Sequence, residues 1–146
     1  MARDRDPGAA STELVLVMAI LVSFLFLLLA AGRLTDAKSD VVGAASDAAR
    51  AASVEEGAGA ARSQAAAAAA DTVAGERLNC AGGAPTVDTE FVGGPSGNGT
   101  FEQGAFVHVT VHCTVNTSDL TFIGIGPSVP LDAEAWEPID PNRSMR

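Results

Sequence analysis

The chain lacks the residues and motifs on which most catalytic and nucleotide-binding sites depend. Its 146 residues include no Tyr, one Trp, two Cys and two His. No GxGxxG turn, Walker phosphate loop or CxxC pair occurs in the sequence. His108 and His112 lie four residues apart on a predicted strand, about 13 Å, which is too far for the pair alone to hold one metal ion. We therefore predict no enzyme, no metal site and no cofactor.

Basic side chains are also scarce, and their distribution argues against anionic partners. The chain contains nine Lys and Arg against eighteen Asp and Glu, which gives a formal net charge of −9. Residues 1–33 carry equal numbers of acidic and basic side chains, so the whole net charge belongs to residues 34–146. An acidic domain of this kind repels nucleic acid and anionic lipid surfaces. We expect no nucleic-acid partner.

Apolar residues, in contrast, are concentrated near the amino terminus. The segment 14–31 contains eighteen consecutive residues without a charge, Asn, Gln, Gly or Pro. At 1.5 Å per helical residue this segment extends about 27 Å, close to the hydrocarbon thickness of a bilayer, about 30 Å. The sequence predicts a transmembrane helix over residues 9–31, with the lipid bilayer as its surroundings.

Three interpretations of this apolar segment are open. A cleaved secretory signal could end at the small residues 30–32, although the apolar core of such signals has about 7–15 residues. A plain signal anchor fits the length but gives Gly8 and Glu13 no role. The third interpretation is a signal that resembles those of type IV prepilins. Such signals have a short hydrophilic leader ending in Gly, a cut on the cytoplasmic face, and Glu as the fifth mature residue.

The residues before the apolar segment match the third pattern. A hydrophilic leader, residues 1–8, ends at Gly8, and Glu13 is the fifth residue when Ala9 is the first. A carboxylate near the centre of a spanning helix costs about 2.5–3.5 kcal/mol, and less near an interface. After cleavage, the α-amine of Ala9 would lie one turn before Glu13, or would reach Glu13 of a neighbouring subunit. Alternatively, Glu13 is a boundary residue that contacts water and headgroups.

Helical periodicity continues through the Ala-rich residues 32–76. Two glycines, Gly57 and Gly59, predict a break, and residues 60–76 predict a second helix. Alanine strongly favours helix but buries little area. Before the break, apolar residues recur every three or four positions and form one stripe along the helix. We expect this stripe to pack on the chain's own domain; packing on another chain is the alternative. The stripe comprises Leu34, Ala37, Val41, Ala45, Ala48 and Ala52.

Residues 77–146 are rich in Val, Thr and Gly, which is typical of β-structure. Within the clearest strand, every second residue from Val107 to Val115 is apolar or Cys, so this strand has one apolar face. Trp136 is expected to seal the core rather than bind a ligand. The fold class is α+β: a long amino-terminal helix, a second Ala-rich helix and a small antiparallel sheet. We predict strands at 86–92, at 106–115 and within 129–136.

The two cysteines, Cys80 and Cys113, allow only one pairing. A bridge between them would close a loop of about 32 residues and stabilise the domain by about 3–4 kcal/mol in the chain-entropy model. Two unrelated thiols are the alternative. A disulfide requires an oxidising compartment, so the bridge would place the carboxyl-terminal domain outside the cell membrane and the amino terminus in the cytoplasm.

Several segments together resemble one known family. Besides the Gly8 and Glu13 signal, they are AGRLTDA at 31–37, DAARAAS at 47–53, VTVHCTV at 109–115, SDL at 118–120 and EPIDPNR at 137–143. The chain resembles TadE-like proteins (the TadE/TadG family) of the tight-adherence, or Flp, pilus system, and most closely the actinobacterial type.

The resemblance implies a minor pseudopilin that takes part in pilus assembly or secretion. A prepilin peptidase would cut it after Gly8, with Gly8, Ala9 and Glu13 as the processing signal. Other pseudopilins or pilus-assembly membrane proteins would be its partners, and the Cys80–Cys113 bridge would hold its external domain. The alternative is a single-pass, membrane-tethered extracytoplasmic binding domain with no pilus role.

Overall fold

A computed structural model describes residues 7–76, 78–118, 121, 124 and 126–142, with side chains from Glu13 onward. The chain divides into two compact units, Met1–Thr35 and Asp36–Arg146. Most of the leader, residues 1–6, lies outside the described residues. Asp119, Leu120 and Arg143, which belong to the segments of family resemblance, also lie outside them.

Helix α1 spans Pro7–Ser53 and contains the whole apolar segment. Proline suits the first position of a helix, because its φ is already helical and its missing N–H would have had no partner there. In the first unit, the large apolar side chains of α1 from Leu14 to Leu29 are 47–70% exposed. They cover all sides of the helix, as in a helix that faces lipid. The predicted continuation of the helix past Arg33 is confirmed.

Helix α2 spans Ala58–Gly75 and follows a short turn, so the predicted break and second helix are both confirmed. Its buried residues recur every four positions and therefore form one stripe along the helix. Apart from Val73 this stripe consists of alanine. The buried residues of α2 are Ala61, Ala65, Ala69 and Val73.

The second unit also contains one three-stranded antiparallel sheet. Its strands are β1 (Thr86–Gly93), β2 (Ala105–Asn116) and β3 (Ser128–Pro138), and β2 lies in the centre. All three strands predicted from the alternating pattern are present. The third is longer than expected and runs on to Pro138.

The core lies between the inner face of the sheet and the alanine stripes of the helices. Val107, Val109 and Val111 of β2 are fully buried. They belong to the same buried cluster as Val41 and the alanines of α1 and α2. The apolar stripe of α1 therefore packs on its own domain, as favoured, and only Leu34 of the six stripe residues remains exposed. Because alanine is so short, the core has little room for larger side chains.

Replacing Ala65 by Leu is expected to destabilise the protein, because Ala65 has no exposed surface and the core packs against it. Overpacking of this kind typically costs about 1–3 kcal/mol. The neighbouring residue, Ala66, is exposed on the same helix, so Ala66→Leu is a matched control with little expected effect. Urea unfolding of the two variants in detergent measures the difference, and equal midpoints would contradict the packing described.

The expectation for Trp136 is wrong. Its side chain is 52% exposed and lies on the outer face of the sheet, stacked on His108 with ring centroids 3.9 Å apart. Strand residues alternate between the two faces, and Leu131 and Ala133 of β3 point into the core. Trp136 has the opposite parity, so its place on the strand directs it outward despite its size.

Candidate functional site

Gly8, Ala9 and Glu13, which the sequence predicts as a processing signal, all lie on α1. Ala9 and Glu13 are four positions apart, so they occupy the same side of the helix one turn from each other. The Cα–Cβ bonds of a helix tilt toward its amino terminus, so the Glu13 side chain leaves the backbone toward the turn that contains Ala9. A new amine at Ala9 would therefore form on the side to which the Glu13 carboxylate extends.

The bond between Gly8 and Ala9 lies in the first turn of α1, directly after Pro7. The first N–H groups of a helix have no partner within the helix, and glycine is a poor helix former. Unwinding this turn therefore costs little compared with unwinding the apolar segment that follows. In the uncut helix, Glu13 lies beyond the first turn, which carries no acidic side chain.

Of the residues that the structure describes, one helical stretch, Glu13–Ser53, is long and apolar enough to cross a membrane. Its length and composition agree with the transmembrane helix predicted over 9–31. The stretch is a candidate membrane span that begins at Glu13 and extends well beyond the apolar segment itself.

Cys80 and Cys113 form the predicted disulfide, with Cα atoms 5.2 Å apart. Both residues are buried, and Cys113 lies on the inner face of β2 among the core valines. Next to the bridge, the N–H of Ala81 donates a hydrogen bond to the carbonyl of Thr114 over 2.6 Å. The bridge thus fixes the segment after α2 to the central strand of the sheet.

The outer face of the sheet carries a second cluster of polar groups. His112 on β2 lies between carboxylates of both edge strands: its Nδ1 is 2.6 Å from Asp132 Oδ1, and its Nε2 is 3.3 Å from Asp88 Oδ2. His108, four residues nearer the start of β2 on the same face, repeats the arrangement. Its Nε2 is 3.4 Å from Glu134 Oε2, and its Nδ1 is 3.9 Å from Glu90 Oε2. We call these six side chains the acid–histidine face.

The environment of His112 favours its protonated form. The hydrogen bond to Asp132 raises the pKa of His112 above its ordinary value of 6.5, partial desolvation opposes this effect, and the negative charges of Asp132 and Asp88 add to it. The side chain of His112 is 43% exposed, so water weakens these interactions.

The sequence analysis placed the two histidines on one strand, too far apart to hold a metal ion, and missed their four carboxylate partners. A signal was present, because Asp88 and Glu90 alternate on β1 in the same way as Asp132 and Glu134 on β3. The sequence could not show that the two acidic pairs flank the histidines, since that depends on the strand register. Among the described residues, no group of three or more His, Cys, Asp and Glu side chains is arranged to hold a metal ion.

Comparison with known families identifies the amino-terminal part of the chain. The family model described as TadE-like protein matches residues 8–50. No curated protein and no solved structure matches the chain significantly. The matched segment begins at Gly8, includes Glu13 and the apolar segment, and ends three residues before α1 does. The resemblance to TadE-like proteins recognised from the sequence is thereby confirmed over residues 8–50, and in this segment the chain is similar to the TadE-like family.

Proposed function

We propose that the chain is a membrane-anchored, pseudopilin-like component of a tight-adherence (Flp-type) pilus assembly or secretion system, of the actinobacterial type. Helix α1 anchors it in the cell membrane, and a prepilin peptidase cuts it after Gly8. The chain supplies the peptide bond that is cut and performs no catalysis itself. Its partners are the bilayer, the peptidase, and other pseudopilins or assembly proteins of the membrane.

One observation carries this proposal. The TadE-like match begins at Gly8 and continues through Glu13 and the apolar segment, so these three features lie on one family-matched helix. A signal anchor alone needs the apolar segment but neither Gly8 nor Glu13. The spacing of these two residues is the feature that a prepilin-like signal adds.

The proposed cut has a physical consequence for Glu13. Water adds across the Gly8–Ala9 bond, which gives a carboxylate on Gly8 and an ammonium group on Ala9. The helix then begins at Ala9, so Glu13 lies nearer the positive end of the helix dipole and one turn from a new positive charge. Pairing with Ala9 of the same or a neighbouring chain offsets the cost of placing Glu13 at the membrane, and pairing between chains would set an axial register.

The disulfide supports the proposed orientation. Buried disulfides persist in oxidising compartments and are rare in the bacterial cytosol. A Cys80–Cys113 bridge therefore favours an extracytoplasmic second unit and a cytoplasmic amino terminus. In this orientation, Gly8 is on the cytoplasmic side, where prepilin-type signals are cut.

The mature amino terminus tests the proposal. The full-length chain is expressed with and without a co-expressed prepilin peptidase of the tight-adherence type, and its terminus is identified by mass spectrometry. A terminus at Ala9 that depends on the peptidase is the expected result. A terminus at Met1 or Ala2 in both cultures would instead support the membrane-tethered binding domain, and one at Arg33 a secreted protein.

A further inference from the structure

The acid–histidine face connects all three strands of the sheet through side chains. Each histidine is on the central strand, and each has one carboxylate from β1 on one side and one from β3 on the other. The two arrangements lie side by side, since His108 and His112 are separated by a single outward residue, Thr110. The described residues thus contain two acid–histidine–acid bridges that run across the sheet.

The charges around each ring come from the two edge strands. Asp88 and Asp132 face His112, and Glu90 and Glu134 face His108. Asp88 and Glu134 are also the cross-strand neighbours of Thr110, which places them between the two rings. Trp136 covers one side of His108 at a ring distance of 3.9 Å. The six side chains of the acid–histidine face thus include four carboxylates, and a protonated histidine is the cation that this set can supply to balance them.

We propose that the acid–histidine face is a pH-sensitive clamp: protonation of His112 ties β1 and β3 to β2, and deprotonation of His112 loosens the sheet. A protonated ring has two N–H donors, one for each flanking carboxylate. A neutral ring has one donor and one acceptor, so one carboxylate is left facing a lone pair. Protonation therefore turns His112 from a bridge to one strand into a bridge to two.

The two histidines differ in the strength of their contacts. Those of His112 are shorter, 2.6 and 3.3 Å against 3.4 and 3.9 Å for His108. Charge-assisted hydrogen bonds weaken with distance, so His112 carries most of the effect. The pKa of His112, which its hydrogen bond to Asp132 raises, agrees with this assignment.

The sign of the pH dependence follows from the raised pKa of His112. The stabilisation is fully present below the unfolded value, about 6.5, and is lost as pH rises through the higher folded value. The clamp is therefore closed in mildly acidic solution and open in alkaline solution.

Histidine titration by NMR tests the proposal directly, because the full-length chain has only two histidines and their ring signals are easily assigned. In detergent micelles, the midpoint of His112 is expected above that of a free histidine. Asp132→Asn should lower this midpoint most, and Asp88→Asn should lower it less. Asp71→Asn removes the same charge from an exposed position on α2 and serves as the matched control.

Thermal unfolding tests the link between protonation and sheet stability. For each protein, the unfolding temperature at pH 8 is subtracted from that at pH 5.5. This pH difference is expected to be about 2–4 °C larger for the wild type than for His112→Gln. His108→Gln should reduce the pH difference in unfolding temperature less than His112→Gln does, and Asp71→Asn should leave that difference at its wild-type value. Two results would overturn the proposal. One is an NMR titration midpoint of His112 that Asp132→Asn does not change. The other is an unfolding temperature that depends on pH in the same way in the wild type and in His112→Gln.

Discussion

Gly8→Leu is expected to abolish processing and leave the chain at full length in cells that contain a prepilin peptidase. Glycine has no side chain, so the backbone at the cut can approach closely to an enzyme, and leucine removes that access. Leucine also favours helix more than glycine does, which makes the first turn of α1 harder to unwind. Intact-mass measurement distinguishes the full chain from one that lacks residues 1–8.

Gly32→Leu is the matched control for this experiment. Gly32 lies on the same helix at the other end of the apolar segment, and a Cβ added there meets no atom within 4 Å apart from its chain neighbours and the nearby backbone of the helix. This variant should still lose residues 1–8. It also tests the secretory alternative, because a cut after Gly32 would be blocked by Gly32→Leu and not by Gly8→Leu. Loss of residues 1–8 from the Gly8→Leu chain would contradict the proposed processing.

Removing the disulfide by the double substitution Cys80→Ala and Cys113→Ala is expected to lower the free energy of unfolding by about 3–4 kcal/mol. The bridge closes a loop with a sequence separation of 33 residues, so its loss increases the conformational freedom of the unfolded chain. Most domains are stable by about 5–15 kcal/mol. The loss should be a large fraction of the total here, because alanine supplies much of the core and buries little area.

Urea unfolding of the full-length protein in detergent measures this effect. The single variants should be nearly as unstable as the double variant, since either substitution breaks the same bond. Wild type treated with a reducing agent is the control, and it should lose a similar amount while the double variant does not respond. A double variant as stable as oxidised wild type would contradict the stabilising role of the bridge.

The local sequence pattern was sufficient for the secondary structure. The apolar segment and the three- and four-residue spacing that follows it predicted α1 past Arg33, and Gly57 and Gly59 marked its separation from α2. The alternation from Val107 to Val115 predicted the central strand and its inner face. These features depend on neighbouring residues and on burial of one face, so a single sequence contains them.

For Trp136, the prediction followed the size of the side chain and neglected the alternation of residues along the strand. Its size suggested a core position, but Leu131 and Ala133 on the same strand already identified the inward parity. A strand places alternate residues on opposite faces, so Trp136 must share the outer face with Asp132 and Glu134. On a short strand, parity is the stronger constraint, because turning one side chain inward would expose the others.

By itself, the sequence predicted the long apolar helix, the spacing of Gly8 and Glu13, and the only possible cysteine pairing. Each of these is a matter of spacing along the chain or of residue count. The tertiary structure alone decided that His112 lies between Asp88 and Asp132, because this contact depends on how β1 and β3 align with β2. A shift of two residues in either strand would keep every side chain on its face and still change every partner. The acid–histidine face is therefore a property of the register of the strands.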